Sequence, residues 1–183
     1  GQEGDGWKAI LTDAVRVPET LNSRNRSPQR IRQDFINRHI MRDEKDQPQP
    51  KTFAMAEDFL RANHGADNWF LHVETFDPHE PYFSPQRFRN LYPHDYSGPV
   101  FDWPPYGPVT ETPAQTQHVR YECAALHSMC DFYLGRLLDL MDELNLWKDT
   151  LLIVNTDHGF LLGEHNLWAK CHCPWYDEKA RTP

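Results

Sequence analysis

The chain has 183 residues, 39% apolar and 25% charged, with a formal net charge of -8. That length supports one ordinary domain with a sizeable core, and the composition is that of a globular protein rather than a disordered one. The acidic balance argues against nucleic acid or an anionic membrane as a main partner, because both reward basic patches, and no apolar run approaches the ~20 residues of a membrane span.

Residues 1–50 are weakly patterned and read as an irregular or inserted region. Within them "NSRNRSPQR" is a polar loop, and "IRQDFINRHIM" predicts a short amphipathic helix with Ile31, Phe35 and Ile40 inward. "KDQPQPK" reads as a break. The next segment, "TFAMAEDFLRANHG", predicts a helix with Thr52 as its N-cap and Gly65 as its stop. Residues 51–183 are thereby assigned to the core of the domain.

"NWFLHVETF" (68–76) predicts a strand that Asp77-Pro78 must end. Between Pro81 and Pro113 lie eight of the fifteen prolines, with Tyr82, Tyr92, Tyr96, Trp103 and Tyr106 among them. Such a stretch excludes helix and central strand, and its aromatic content predicts an ordered loop over a surface. From 115 to 147, Val119, Cys123, Leu126, Cys130, Leu134, Leu137, Met141 and Leu144 recur at spacings of three and four, the stripe of one long core-packing helix. "TLLIVNT" then predicts a strand buried on both faces.

Strand, loop, helix, strand is a crossover, so the fold expected is α/β with a mainly parallel sheet flanked by helices. Parallel strands end at one edge, where ligands bind, and this brings "DPHEPY" and "DHG" to one rim. Asp157 and His158 are candidate ligands of a divalent metal, with Gly159 allowing a tight turn. The bland alternative is a helix cap with a surface histidine. His79, between two prolines, could donate a proton or hydrogen-bond an anion, or simply pack on Tyr82. Lys170 behind Trp168 could hold an anionic oxygen as a point charge or be a solvated surface charge. Glu164 and His165 read as residues that orient the loop.

The cysteines are Cys123, Cys130, Cys171 and Cys173. The first two lie two helical turns apart, roughly 10 Å, too far for a disulfide. "CHC" at 171–173 lacks the two separated ligand pairs of a structural zinc site. Free thiols or small buried hydrophobes are the reading that remains.

Taken together, "FDPHEPY", "LLIVNTDHGFLLGEHNLWAK" and "WYDEKARTP" resemble the sulfatase family of the alkaline-phosphatase superfamily. The resemblance implies an alkaline-phosphatase-like domain that hydrolyses a small-molecule or carbohydrate sulfate ester. It implies Asp157 and His158 as ligands of Ca2+ (with Mn2+, Mg2+ or Zn2+ as alternatives), and His79 and Lys170 as contacts of the sulfate group. The family's nucleophile is a formylglycine made from the first residue of Cys-x-Pro/Ala-x-Arg. No cysteine here has an arginine four positions on, and no Asp-Asp pair occurs. The chain therefore reads as an internal piece of a sulfatase, with the formylglycine expected upstream and these residues inactive alone. A phosphonate or phosphodiester hydrolase of the same superfamily, or a non-catalytic binding module, are the alternatives.

Overall fold

The computed structural model describes residues 15–182. In chain order these form helices α1 (Pro28–Ile40), α2 (Pro48–Asn63) and the single-turn α3 (Gln86–Arg89), a short strand β1 (Gly107–Pro108), and the long helix α4 (Pro113–Glu143). Strands β2 (Leu161–Leu162) and β3 (Leu167–Ala169) and the single-turn α5 (Asp177–Ala180) follow. None of these helices is long and apolar enough to cross a membrane.

Helix α4 organises the rest. Thr112 caps it through a capping box with Gln115, and Pro113 occupies the first turn, where a missing N–H costs nothing. Its buried face carries Val119, Cys123, Leu126, Leu137 and Met141 from the predicted stripe. Cys130 and Leu134 are only half-buried, while Met129, Tyr133 and Leu140 complete the face instead. The true period of 3.6 residues drifts away from a fixed spacing over so long a helix. The helix stops at Glu143, before a 3-10 turn at Leu146–Lys148, because Asn145 takes a left-handed conformation.

Helix α2 packs on α4 through Phe53 against Tyr133, flanked by the ion pairs Arg136–Glu57 and Arg61–Glu143. It begins at Pro48, with Gln47 in the cap position, so Thr52 lies inside the second turn and "DQPQP" starts a helix rather than breaking one. Pro48 and Pro50 fall where the first helical N–H groups have no partner anyway. Helix α1 departs from an irregular 1–50 region. It buries Ile31 and Ile36, with Phe35 and Ile40 half-covered, because Asp34, Asn37 and Arg38 also face inward.

Those inward polar groups are satisfied only in part, with Asp34 Oδ2 and Arg38 Nε left without a hydrogen bond. Arg38 donates to both oxygens of Asp102, at 2.5 and 3.0 Å, and Asn22 donates to the same carboxylate at 2.7 Å. Asp34 Oδ2 lies 2.8 Å from Arg38 but makes no aligned hydrogen bond, so Asp102 is the stronger partner. Burial raises the Asp34 carboxyl above its ordinary value. Burial also pushes the Asp102 carboxyl up, but Arg38 and Asn22 outweigh it and hold Asp102 low. This network ties α1 to the proline-rich segment. That segment packs on the core, with Tyr82, Phe88, Phe101 and Trp103 buried, but it is not free of helix, since α3 starts right after Pro85, where a proline still suits a helix N-cap.

The sheet is the main departure. Among the described residues it has three strands in the order β1-β3-β2, all antiparallel, with Gly107 opposite Trp168 and Leu162 opposite Trp168 on the other side. Among the described residues the mainly parallel sheet expected from sequence is not confirmed. Residues 69–76 are extended, and burial alternates along them with period two: Trp69, Leu71 and Val73 pack on the core while Phe70, His72 and Glu74 face out. Residues 151–156 are likewise non-helical, with Leu151 83% and Ile153 73% exposed. Both have strand-like sequences, but a strand is defined by a hydrogen-bonded neighbour, and neither segment pairs with one among the described residues.

Candidate active site

Three loops and one side chain from the proline-rich segment converge. The first loop is 76–82, in which the peptide bonds before Pro78 and Pro81 are both cis. Its anchor is Tyr82, fully buried, whose N–H donates to the carbonyl of Asp102 at 2.8 Å. The second is 157–160, held against the first by Phe160, which meets the rings of Tyr82 and Tyr106 edge-on at 5.9 and 6.5 Å. The third leaves β3, where buried Trp168 donates to Glu111 at 2.7 Å and Ala169 turns the chain with φ 75°.

These supports place Lys170 Nζ 2.7 Å from His79 Nε2, across ninety-one positions of sequence. His79 Nδ1 lies 2.6 Å from the carbonyl oxygen of Glu80, which can only accept. Nδ1 therefore carries the proton, Nε2 is the acceptor, and Lys170 is the donor to it. The Phe76 ring covers one side of the imidazole at 4.5 Å. Lys170 is largely buried, with 14% of its side chain exposed, and His79 is 35% exposed. The alternative of His79 merely packing on Tyr82 and Lys170 being solvated does not describe this geometry.

Asp157 is different in character, with 83% of its side chain exposed. Slight burial pushes its carboxyl up, but His158 when protonated, main-chain N–H donors and Lys170 outweigh this and hold it below the ordinary value. Lys170 is the last and smallest of these influences, and the two pairs stand on separate loops. His158 Nδ1 faces the carbonyl of Gly159 at 3.0 Å, so Nδ1 holds the proton and Nε2 presents a lone pair. That lone pair sits 3.4 Å from Asp157 Oδ2. Two acceptors at that distance need a proton or a cation between them, and the donor set of one carboxylate and one imidazole fits a divalent ion. Among the described residues no group of three or more His, Cys, Asp or Glu side chains could hold a metal, so Asp157 and His158 are at most part of such a site.

Gly159 does not owe its place to a left-handed turn, since its φ is not positive. The cause is proximity: a Cβ there would lie 1.9 Å from the carbonyl oxygen of Glu178, and the Gly159 N–H donates to the carbonyl of Lys179 at 2.9 Å. Glu164 and His165 do fasten the loop. Glu164 accepts from the Leu162 N–H and lies 3.5 Å from Arg120, and His165 stacks on Tyr176 at 3.7 Å and pairs with Glu178 at 3.2 Å.

Cys123 and Cys130 are not activated nucleophiles. Burial pushes the Cys123 and Cys130 thiols up to about 12, and all four cysteines are free. Two site residues carried no distinct signal in the sequence. Glu80 is 2% exposed between His79 and Lys170, and Tyr106 reaches it from the proline-rich segment, donating to Oε1. Glu80 lay inside a quoted motif without a reason to single it out. Tyr106 was one aromatic residue of several. A groove along α4, lined by residues including Arg120, His127 and Leu162, contains none of the candidate residues, and the convergent chemistry outweighs concavity here.

Comparison with known proteins gives the chain a family. The sulfatase family model matches residues 14–183. Human iduronate 2-sulfatase is 33% identical over 135 residues, covering 57% of this chain and 24% of that protein. The choline-sulfatase of Rhizobium meliloti is 28% identical over 132 residues, 63% of this chain and 25% of the relative. A multifunctional alkaline phosphatase superfamily protein of Trinickia caryophylli is 25% identical over 130 residues, 56% and 25% respectively. The chain spans about a quarter of the length of these relatives. With the family match running over nearly every residue, the chain belongs to the sulfatase family.

Proposed function

We propose that the protein is a sulfuric ester hydrolase, and that these residues supply the half of its active site that holds the sulfate. The carrying observation is the Lys170–His79 contact, a cation and an imidazole from two distant motifs brought to 2.7 Å. A sulfate ester is a fixed anion whose charge shifts onto its bridging oxygen as the S–O bond breaks. Lys170 supplies a positive charge in a largely dry position, where it is worth more than in water. His79 accepts from Lys170 at rest and, once protonated at Nε2, donates to an ester oxygen.

Asp157 and His158 would hold one side of a divalent cation, with Ca2+ the ion the family resemblance points to. When bound, such an ion neutralises sulfate oxygens and polarises the sulfur centre. The remaining ligands and the formylglycine nucleophile lie outside these 183 residues in this reading, so the chain forms part of a catalytic domain. Residues 69–76 and 151–156 then take places in a larger, mainly parallel sheet of the alkaline-phosphatase type. Their alternating or exposed apolar side chains support that placement.

The test is hydrolysis of an aryl sulfate by the intact protein, with an aryl phosphodiester as the comparison substrate. Lys170→Ala and His79→Ala are expected to lower kcat/KM on the sulfate by about 100-fold or more while divalent-ion binding persists. Asp157→Ala is expected to lose ion binding and activity together. Wild-type turnover in the Lys170 and His79 variants, or a preference for the phosphodiester, would overturn the assignment.

A further inference from the structure

Glu80 is a buried carboxylate with an unusual arrangement of partners. Oε1 accepts from the Tyr106 hydroxyl. Oε2 is buried and has no hydrogen-bond partner, yet it lies 3.3 Å from His79 Nδ1 and 3.9 Å from Lys170 Nζ. Burial and the neighbouring Glu80 push the Tyr106 hydroxyl up, so it stays a donor across the physiological range. A negative group is thus fixed beside a lysine and an imidazole, with one oxygen still open to them.

The proton count of the pair gives that oxygen a task. At rest the His79 Nδ1 proton is committed to the Glu80 carbonyl, and the Nε2 lone pair takes a hydrogen bond from Lys170. A sulfate arriving in the site draws the ammonium toward itself. Nε2 would then present a lone pair to an anionic oxygen, which is repulsive unless Nε2 gains a proton. The charged groups facing the ring are Lys170 from the loop after β3 and Glu80 from its own loop, with Tyr106 behind Glu80. Of these only Glu80 favours an imidazolium.

We propose that Glu80, anchored by Tyr106, is the positioning residue of the anion-holding pair, supplying the counter-charge with which His79 takes one proton from solvent when a sulfate group binds. The proton enters at Nε2, no other bond changes, and the resulting imidazolium donates to an ester oxygen. This rests on the sulfatase reading of the same site and adds to it a residue and a proton that the family resemblance did not supply.

The experiment is calorimetric titration of the intact protein with inorganic sulfate, near pH 8, in buffers of different ionisation heat. Wild type is expected to take up about one proton per sulfate bound, and Glu80→Gln close to none. In ester hydrolysis Glu80→Gln should lower kcat about 10- to 100-fold, while Glu80→Asp, which keeps the charge, stays within a few-fold of wild type in both measurements. A merely structural role reverses that order, because Gln keeps the shape and Asp does not. Proton uptake unchanged in Glu80→Gln, or Glu80→Asp worse than Glu80→Gln, overturns the inference. Should Glu80→Gln fail to fold, Tyr106→Phe must lower proton uptake and kcat together, and wild-type values there overturn it equally. If His79→Ala and Lys170→Ala also keep wild-type proton uptake and turnover, the sulfatase reading of the site fails. If they lose both and the Glu80 variants do not, only the role of Glu80 fails.

Discussion

Asp77 opens the loop that carries His79, and burial alone raises its carboxyl from 3.8 to about 7. In an unfolded chain the same group titrates near 3.9. Between roughly pH 4 and pH 7 the folded state therefore holds a proton that the unfolded state has lost, so this contribution to stability falls as pH rises through that window and is gone above it. Asp77→Asn is expected to be more stable than wild type at pH 8 by roughly 2–4 kcal/mol and close to it at pH 4. Urea unfolding of the intact protein at both pH values measures this, and equal gaps at the two would refute it. His118 has the opposite sense. Burial, with His94 and Arg89 nearby, lowers it to about 4, so its contribution is present above about pH 6.5 and is lost as pH falls toward 4. His79, Lys170, Asp157 and His158 were legible in the sequence as motif residues. Their contacts were not, because the Lys170–His79 approach spans ninety-one positions and the Tyr106–Glu80 hydrogen bond twenty-six, while the local turn that aims the Glu80 carbonyl and carboxylate at His79 has no periodic signature.

At the level of elements, helices were the legible part. The stripe of α4 and the apolar faces of α1 and α2 follow from residues three and four apart, which need no knowledge of neighbours. The segments 69–76 and 151–156 are unpaired among the described residues, and sequence could not foresee it, since pairing depends on a second segment that periodicity does not specify. The register of β1 and β2 on β3 was invisible too, as strands two or three residues long carry no alternation. The Arg38–Asp102 pair joining α1 to the proline-rich segment is the polar contact most exposed to mutation. Arg38→Met should cost about 3–5 kcal/mol by leaving Asp102 charged and buried, and Arg38→Met with Asp102→Asn should recover part of that. Thermal unfolding distinguishes the two, and an additive double variant would show that the charges do not oppose each other in this way.

For the molecule as a whole, the exposed Phe70, Leu151, Ile153 and Val154 form apolar surface of a kind that soluble proteins usually cover. If these tracts are strands of a larger sheet, hydrogen exchange at residues 69–76 and 151–156 should be fast in the 183-residue chain and slow in the intact protein. Equal rates in both would remove the larger sheet. A Cβ on Gly159 would lie 1.9 Å from the Glu178 carbonyl oxygen, so there is no room for even a methyl group between the turn carrying Asp157 and the backbone at Glu178. The two segments are in effect one thickness of chain laid on another, so the address of an exposed carboxylate is written by residues twenty positions downstream. Whatever displaces the turn at 177–180, whether a substitution or a bound molecule, has to move Asp157 with it, while the Lys170–His79 contact has its own supports in Trp168 and Tyr82. The Lys170–His79 pair and the Asp157–His158 pair can thus be disturbed separately.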